Sequence, residues 1–336
     1  MTEYSILDYA VIDEGERAVE ALAHTEELAQ LAEKRGYKRF WVAEHHNIPA
    51  FASSSPEVIM MRLADQTQSI HIGSGGVMLP HYSPYKVAEN FKVLAAYHPG
   101  RIDLGFGNNK SVPQIAKVMN EYQAGELSYE QAIKDLYKYM TDEDQADHRF
   151  NTLKANPSIE EALEMWILSS SVANAQLAGR LGLAYCFGIF PFARDNVLEI
   201  AEEAVAAYRA SFKPSQATPA PRVMYAAFVA VAEQADHAED LARALDWWLL
   251  GQDNFRYYDR FPSIASSQSF VATPEQSQAM KENRKRMITG DIDKVSAEIK
   301  DWNRRLAADE ALLIPLVPGF DNRQISLEIL ADALID

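Results

Sequence analysis

Three short stretches of the chain carry groups suited to chemistry. Glu44-His45-His46-Asn47 places three titratable side chains in a row. Histidine titrates near neutral pH, so His45 and His46 are candidate catalytic acids and bases; the alternative is a pair of hydrogen-bonded structural histidines. A shared metal ion fits poorly, because adjacent side chains on an extended segment point to opposite faces. No second His or Cys motif with ligand spacing accompanies them, and no metal is expected. Gly73-Ser74-Gly75-Gly76-Val77-Met78-Leu79-Pro80 has three glycines in four positions, which lets a flat ligand approach the backbone closely. Ser74, Gly75 and Gly76 are therefore candidate cofactor contacts. Ser169-Ser170-Ser171 precedes Ala175, Leu177, Ala178 and Leu181, which share one helical face. Hydroxyls and backbone N–H groups at a helix start can seat a phosphate, whereas plain N-capping would occupy one serine of the three. Thr289-Gly290-Asp291 also opens a helix, but an aspartate there competes with an anion, so capping is the better reading.

These stretches need elements to hold them. Short β-branched or aromatic runs alternate with longer segments of helical period, which implies parallel strands joined by crossover helices. Strands are expected at 4–7, 39–43, 70–73, 101–104, 165–168, 184–187, 223–231 and 312–314. After the first, Ala18, Ala21, Leu22, Thr25, Leu28, Ala29 and Ala32 form a helical stripe that stops at Gly36. Ser55-Pro56-Glu57 opens another helix with a capping hydroxyl and a proline in the first turn. Eight such units, with no Gly-x-Gly-x-x-Gly turn after the first strand, favour a (β/α)₈ TIM barrel over an open doubly wound sheet. The chain reads as one domain, 1–336, with insertions at about 110–157 and 251–273. The second insertion holds Phe255, Tyr257, Tyr258, Phe261 and Phe270 and is a candidate lid. In a parallel barrel the site lies where the strands end, which is where all three stretches fall. Trp247 and Trp248 are candidates for shaping a substrate pocket there.

The 336 residues include 32 basic and 48 acidic side chains, a net charge of −16 that repels nucleic-acid backbones and anionic lipid. Neither nucleic acid nor membrane is expected as a partner, and with no leader-like start the expected location is the cytoplasm. Cys186, the single cysteine, sits in an apolar run and is expected to be buried. A serine hydrolase would need a Gly-x-Ser-x-Gly elbow, which is missing.

Phe40 to Asn47, Ser53-Ser54-Ser55-Pro56-Glu57, Gly73 to Pro80 and His98-Pro99-Gly100-Arg101-Ile102-Asp103-Leu104-Gly105 together resemble the signature of the bacterial luciferase-like flavin monooxygenases. Ser170 to Ala178 and Arg180-Leu181-Gly182-Leu183 extend the likeness along the chain, closest to the single-chain oxidoreductases of that family. The resemblance implies a barrel whose mouth holds reduced FMN, supplied by a separate flavin reductase and used with dioxygen on a small organic substrate. It implies that His45 is the acid-base residue, that the Gly75-Gly76 bond is cis, and that the protein is a homodimer. Relatives carry a Gly-Arg step after the fourth strand, where this chain has Gly105-Phe106-Gly107-Asn108-Asn109-Lys110; Asn108 thus takes the place of an arginine at the phosphate. Ser169 likewise replaces a glycine. Two other readings stay open: a deazaflavin-dependent hydride-transfer enzyme, and a catalytically silent flavin-binding or dimer-forming barrel.

Overall fold

The computed structural model describes residues 2–121, 127–142, 148–191, 194–251 and 258–335. Among them, ten strands form one parallel sheet: β1 (Glu3–Asp8), β2 (Arg39–Val42), β3 (His71–Ser74), β4 (Val77–Met78), β5 (Ile102–Gly107), β6 (Glu164–Leu168), β7 (Ala184–Gly188), β8 (Val223–Ala232), β9 (Met287–Asp291) and β10 (Glu310–Ile314). Eight of them close in the order β1-β2-β3-β5-β6-β7-β8-β10, since β10 pairs with both β8 and β1. This is the (β/α)₈ barrel that the alternation of elements implies.

The strands are covered on both faces and so read as apolar runs; all ten residues of β8 are buried. The helix Ala18–Lys34 buries Ala21, Thr25, Leu28, Ala29 and Ala32, while Leu22, expected on the same face, is 40% exposed. Gly36 follows it at φ +83°, a left-handed position that glycine takes without a Cβ clash. The helix Pro56–Gln66 begins where expected, but the Ser55 hydroxyl makes no capping bond. Its backbone (φ −141°, ψ 80°) departs from the extended geometry that aims a hydroxyl at the first-turn amides. Asp291 does cap its helix, Ile292–Leu306, accepting from the Lys294 N–H at 2.9 Å.

Two strands lie outside the expected eight. β4 is a two-residue ladder on β5. β9 pairs with the second half of β8, whose first half pairs with β10, and Phe228 is the shared register position. One wall of the barrel is thereby extended beyond the mouth. The stretch between β5 and β6 holds the helices Pro113–Met119 and Tyr129–Thr141. In the later insertion Phe261 is buried against Trp248, and Phe270 stacks on Trp247; Phe255 and Tyr257 lie outside the described residues. No described helix is long and apolar enough to cross a membrane.

At the base of the barrel, where strands begin, Arg39 is fully buried among three carboxylates: Asp103 (2.8 Å), Glu164 (2.8 Å) and Glu310 (2.9 Å). These come from β2, β5, β6 and β10. Burial works against ionising Asp103, yet the Arg39 charge prevails and holds its pKa low. For Glu310 burial wins, and its pKa is raised.

Candidate active site

At the opposite end, β1 finishes in Asp8, whose carboxylate accepts from the Ala10 N–H (2.8 Å) and the Thr25 hydroxyl (2.7 Å). That turn presents Tyr9 at the mouth. After β2, the His45 N–H donates to the Ser53 carbonyl (2.8 Å), and Asn47 takes a positive φ of 59° to turn the chain. The extended path sends alternate side chains apart. His45 stacks on Tyr9 (4.7 Å between centroids) and touches Phe51 (5.1 Å). Glu44 and His46 lie together on the other side, with His46 Nε2 2.6 Å from Glu44 Oε1. Glu44 also accepts from the Tyr82 hydroxyl (2.6 Å) and the Met78 N–H (2.8 Å), which ties the second-strand loop to the glycine segment. Burial, with the nearby His46, pushes the His45 pKa down to about 3. His45 is therefore a neutral imidazole at ordinary pH, and its Nδ1 is buried with no hydrogen-bond partner in the structure.

The Gly75-Gly76 bond is cis, and both residues line the mouth. Their packing leaves no room for a side chain: a Cβ on Gly76 would lie 2.9 Å from the Gly105 and Phe106 backbone, and one on Gly75 2.6 Å from Leu7 Cδ1. Ser74 departs from expectation. It is fully buried and its hydroxyl donates to the Gly105 carbonyl (2.7 Å), tying β3 to β5 just past the last ladder pair, so it is not in the cavity wall.

Ser169, Ser170 and Ser171 all line the mouth at the start of the helix Val172–Arg180. Ser171 caps it, accepting from the Asn174 N–H (3.2 Å). Ser169 Oγ accepts from Asn174 Nδ2 (3.0 Å), and the Ser170 hydroxyl donates to Gly188 O (2.6 Å). Asn108 and Asn109 line the cavity with them, whereas Lys110, the cation that follows in the chain, does not. Two arginines that sequence reasoning passed over, Arg194 and Arg286, do line it. Neither belongs to a motif, so only the fold could show their place.

These walls enclose a cavity of about 1120 Å³. Part of its lining is apolar: Phe51 and Trp248 (5.0 Å), Phe190 and Phe228 (4.9 Å), Leu249 and Leu316. Trp248 is part of this lining; Trp247 is not, and packs instead between Tyr258 and Phe270. Cys186 is buried as expected, with its thiol pKa raised by burial. Among the described residues no group of three or more His, Cys, Asp or Glu side chains could hold a metal.

A closed parallel barrel with a cavity at its strand ends, one neutral histidine and a lining of both polar and apolar groups, has the architecture of an enzyme acting on small molecules. The chain belongs to the luciferase-like monooxygenase family, whose model matches residues 2–310. It is 38% identical to the uncharacterized protein YwcH of Bacillus subtilis over 338 residues, the whole of both chains. It is 32% identical to a luciferase-like monooxygenase of Escherichia coli K12 over 331 residues, 98% of this chain and 96% of the other. An N-acetyl-S-alkylcysteine monooxygenase of Bacillus subtilis is 40% identical over 210 residues, 62% of this chain and 63% of the other. Among solved structures, apo-MsnO8 matches with a TM-score of 0.85 and 29% identity over 99% of this chain and 98% of the other. Two further neighbours share the fold alone. One is the oxygenating constituent of Pseudomonas putida 3,6-diketocamphane monooxygenase in complex with FMN (TM-score 0.70, 16% identity, 99% and 98% covered). The other is a coenzyme F420-dependent tetrahydromethanopterin reductase of Methanopyrus kandleri (TM-score 0.69, 15% identity, 99% and 98% covered).

Proposed function

We propose that this chain is a monooxygenase that takes reduced FMN from a separate flavin reductase and oxygenates a small organic substrate. The observation that carries this reading is the size and mixed lining of the cavity. At about 1120 Å³ it exceeds the roughly 300–1,000 Å³ usual for one ligand, and it offers both polar and apolar groups, which suits two different occupants. The polar groups of the lining fit FMN. Gly75 and Gly76 give a wall free of side chains, Ser169, Ser171 and Asn174 stand at the positive end of a nine-residue helix, and Arg194 supplies a cation. His45 Nδ1, buried and without a partner, is a polar atom that a bound ligand would satisfy.

Reduced FMN supplies the two electrons with which dioxygen gives one oxygen atom to the substrate and the other to water. The remaining work belongs to the chain. His45, neutral and stacked on Tyr9, holds or passes a proton at a ring nitrogen without presenting a charge to the reacting atoms. Glu44 fixes His46 and the Met78 N–H, which keeps the His45 loop and the glycine wall in register. Phe51, Phe228, Trp248 and Leu316 would keep water from the part of the cavity they line. A homodimer is part of this reading, supported by exposed Val58 (72%), Val93 (39%) and Tyr97 (69%) on the helices Pro56–Gln66 and Pro84–Tyr97, which follow β2 and β4.

Anaerobic titration of the purified protein with reduced FMN, oxidised FMN and reduced F420 tests the reading. Reduced FMN should bind most tightly. Stronger binding of F420, or equal affinity for both states of FMN, would count against it.

A further inference from the structure

Tyr9 brings an uncommitted hydroxyl to the cavity. The residue lines the cavity and is only 5% exposed, with the rings of His45 (4.7 Å between centroids), Phe51 (5.1 Å) and Phe228 (6.3 Å) packed about it. Its backbone carbonyl accepts from the Ser53 hydroxyl at 2.9 Å, but its own hydroxyl has no hydrogen-bond partner among the described residues. A tyrosine O–H so well covered ordinarily finds an acceptor. Burial raises the pKa of the phenol against the opposing charge of Arg286, so the group keeps its proton and is a neutral donor at ordinary pH. The turn that carries it is fixed: Ala10 takes a left-handed φ of 48°, its N–H donates to Asp8 (2.8 Å), and its carbonyl accepts from the Ala52 N–H (2.9 Å). A donor held in place before a ligand arrives lowers the ordering cost of binding. β1 and β6 are four places apart in the closed order of eight, as far as such a ring allows, so Tyr9 and the three serines follow opposing strands.

We infer that Tyr9 selects a substrate bearing an uncharged carbonyl group, its hydroxyl donating to the carbonyl oxygen while Phe51 and Phe228 pack against the apolar remainder. The inference rests on the reading of this cavity as the place where an organic substrate binds together with the flavin. A neutral phenol supplies one donor, which suits a single carbonyl oxygen; a hydrocarbon would leave that donor buried and unpaired.

Anaerobic calorimetric titration of the full chain, with and without reduced FMN, tests this with acetophenone and cyclohexanone against ethylbenzene and methylcyclohexane. Infrared difference spectra of acetophenone isotopically labelled at the carbonyl carbon read the bond itself. In the unaltered protein the carbonyl stretch of the bound ketone should lie below its position in heptane, because a hydrogen bond weakens the C=O bond. Tyr9→Phe removes only the hydroxyl. It should return the stretch to the heptane position and weaken ketone binding about three- to tenfold, the scale of one neutral hydrogen bond, with the hydrocarbons unchanged. An unshifted stretch in the unaltered protein overturns the proposal without any variant, as does failure of both ketones to bind or tighter binding of benzoate than of acetophenone. A shift that survives in Tyr9→Phe, or equal weakening of ketones and hydrocarbons, overturns it as well. Titration of Tyr9→Phe with reduced FMN should match the unaltered protein; a loss there would assign the hydroxyl to the flavin and overturn it too. Failure of the FMN reading is seen separately, as absence of reduced-FMN binding by the unaltered protein, and leaves the ketone measurements without FMN readable.

Discussion

His45 and His46 adjoin in the chain and meet different surroundings: aromatic rings around one, a carboxylate beside the other. Residue type and position at a strand end made both legible as candidates, but only the path of the loop sets their surroundings apart. His45→Gln should lower turnover by roughly 10²-fold or more while reduced FMN still binds, and His46→Gln should lower it less. Steady-state kinetics with an identified substrate and flavin titration check both. His45 also bears on stability. Since the folded pKa of His45 is about 3, below the ordinary value of 6.5, the unfolded chain takes up a proton that the folded chain refuses. The stability this group contributes is full above about pH 6.5 and is lost as pH falls toward about 3. Urea denaturation between pH 7 and pH 4 should therefore show a smaller acid-side loss in His45→Gln than in the unaltered protein. Arg194 and Arg286 were not legible, because a solitary arginine in a loop carries no spacing that marks it.

At the scale of elements, the eight barrel strands were readable because strands covered on both faces are unbroken apolar runs. β4 and β9 were not: one is two residues long, and the other ends in Gly290-Asp291, which reads as a helix start. The glycine wall between β3 and β4 was legible as a place of close approach, and the structure shows what approaches. Gly76→Ala sets a Cβ against strand backbone, which cannot yield locally, and should destabilise by about 1–3 kcal/mol. Gly75→Ala meets the end of the Leu7 side chain, which can turn, and should destabilise less. Chemical denaturation of both variants checks the order. On the facing elements, Asn108→Arg should strengthen FMN binding about tenfold and Arg194→Gln should weaken it by a similar factor, with riboflavin, which lacks the phosphate, little affected. If riboflavin responds equally, the phosphate lies elsewhere.

For the whole molecule, closure of the barrel was implied by the count of units, but not by what means. No sequence pattern links Arg39 to Asp103, Glu164 and Glu310, which are brought together only when β10 returns to β1. Removing the cation leaves buried carboxylates without their counter-charge, so Arg39→Met should destabilise by about 3–5 kcal/mol. The deficit should shrink on acidification, as those carboxylates take up protons. Urea denaturation at neutral and at mildly acid pH measures both. This charge cluster sits at the end of the barrel away from the cavity, and that separation governs how the molecule can vary. In a randomised library, substitutions of the side chains around the mouth, Gly75 and Gly76 apart, should change which compounds are processed while leaving the yield of folded protein nearly constant. Substitutions around Arg39 should reduce the yield and leave the survivors' preferences unaltered. A lineage carrying this barrel can thus acquire new chemistry at one end without renegotiating its closure at the other.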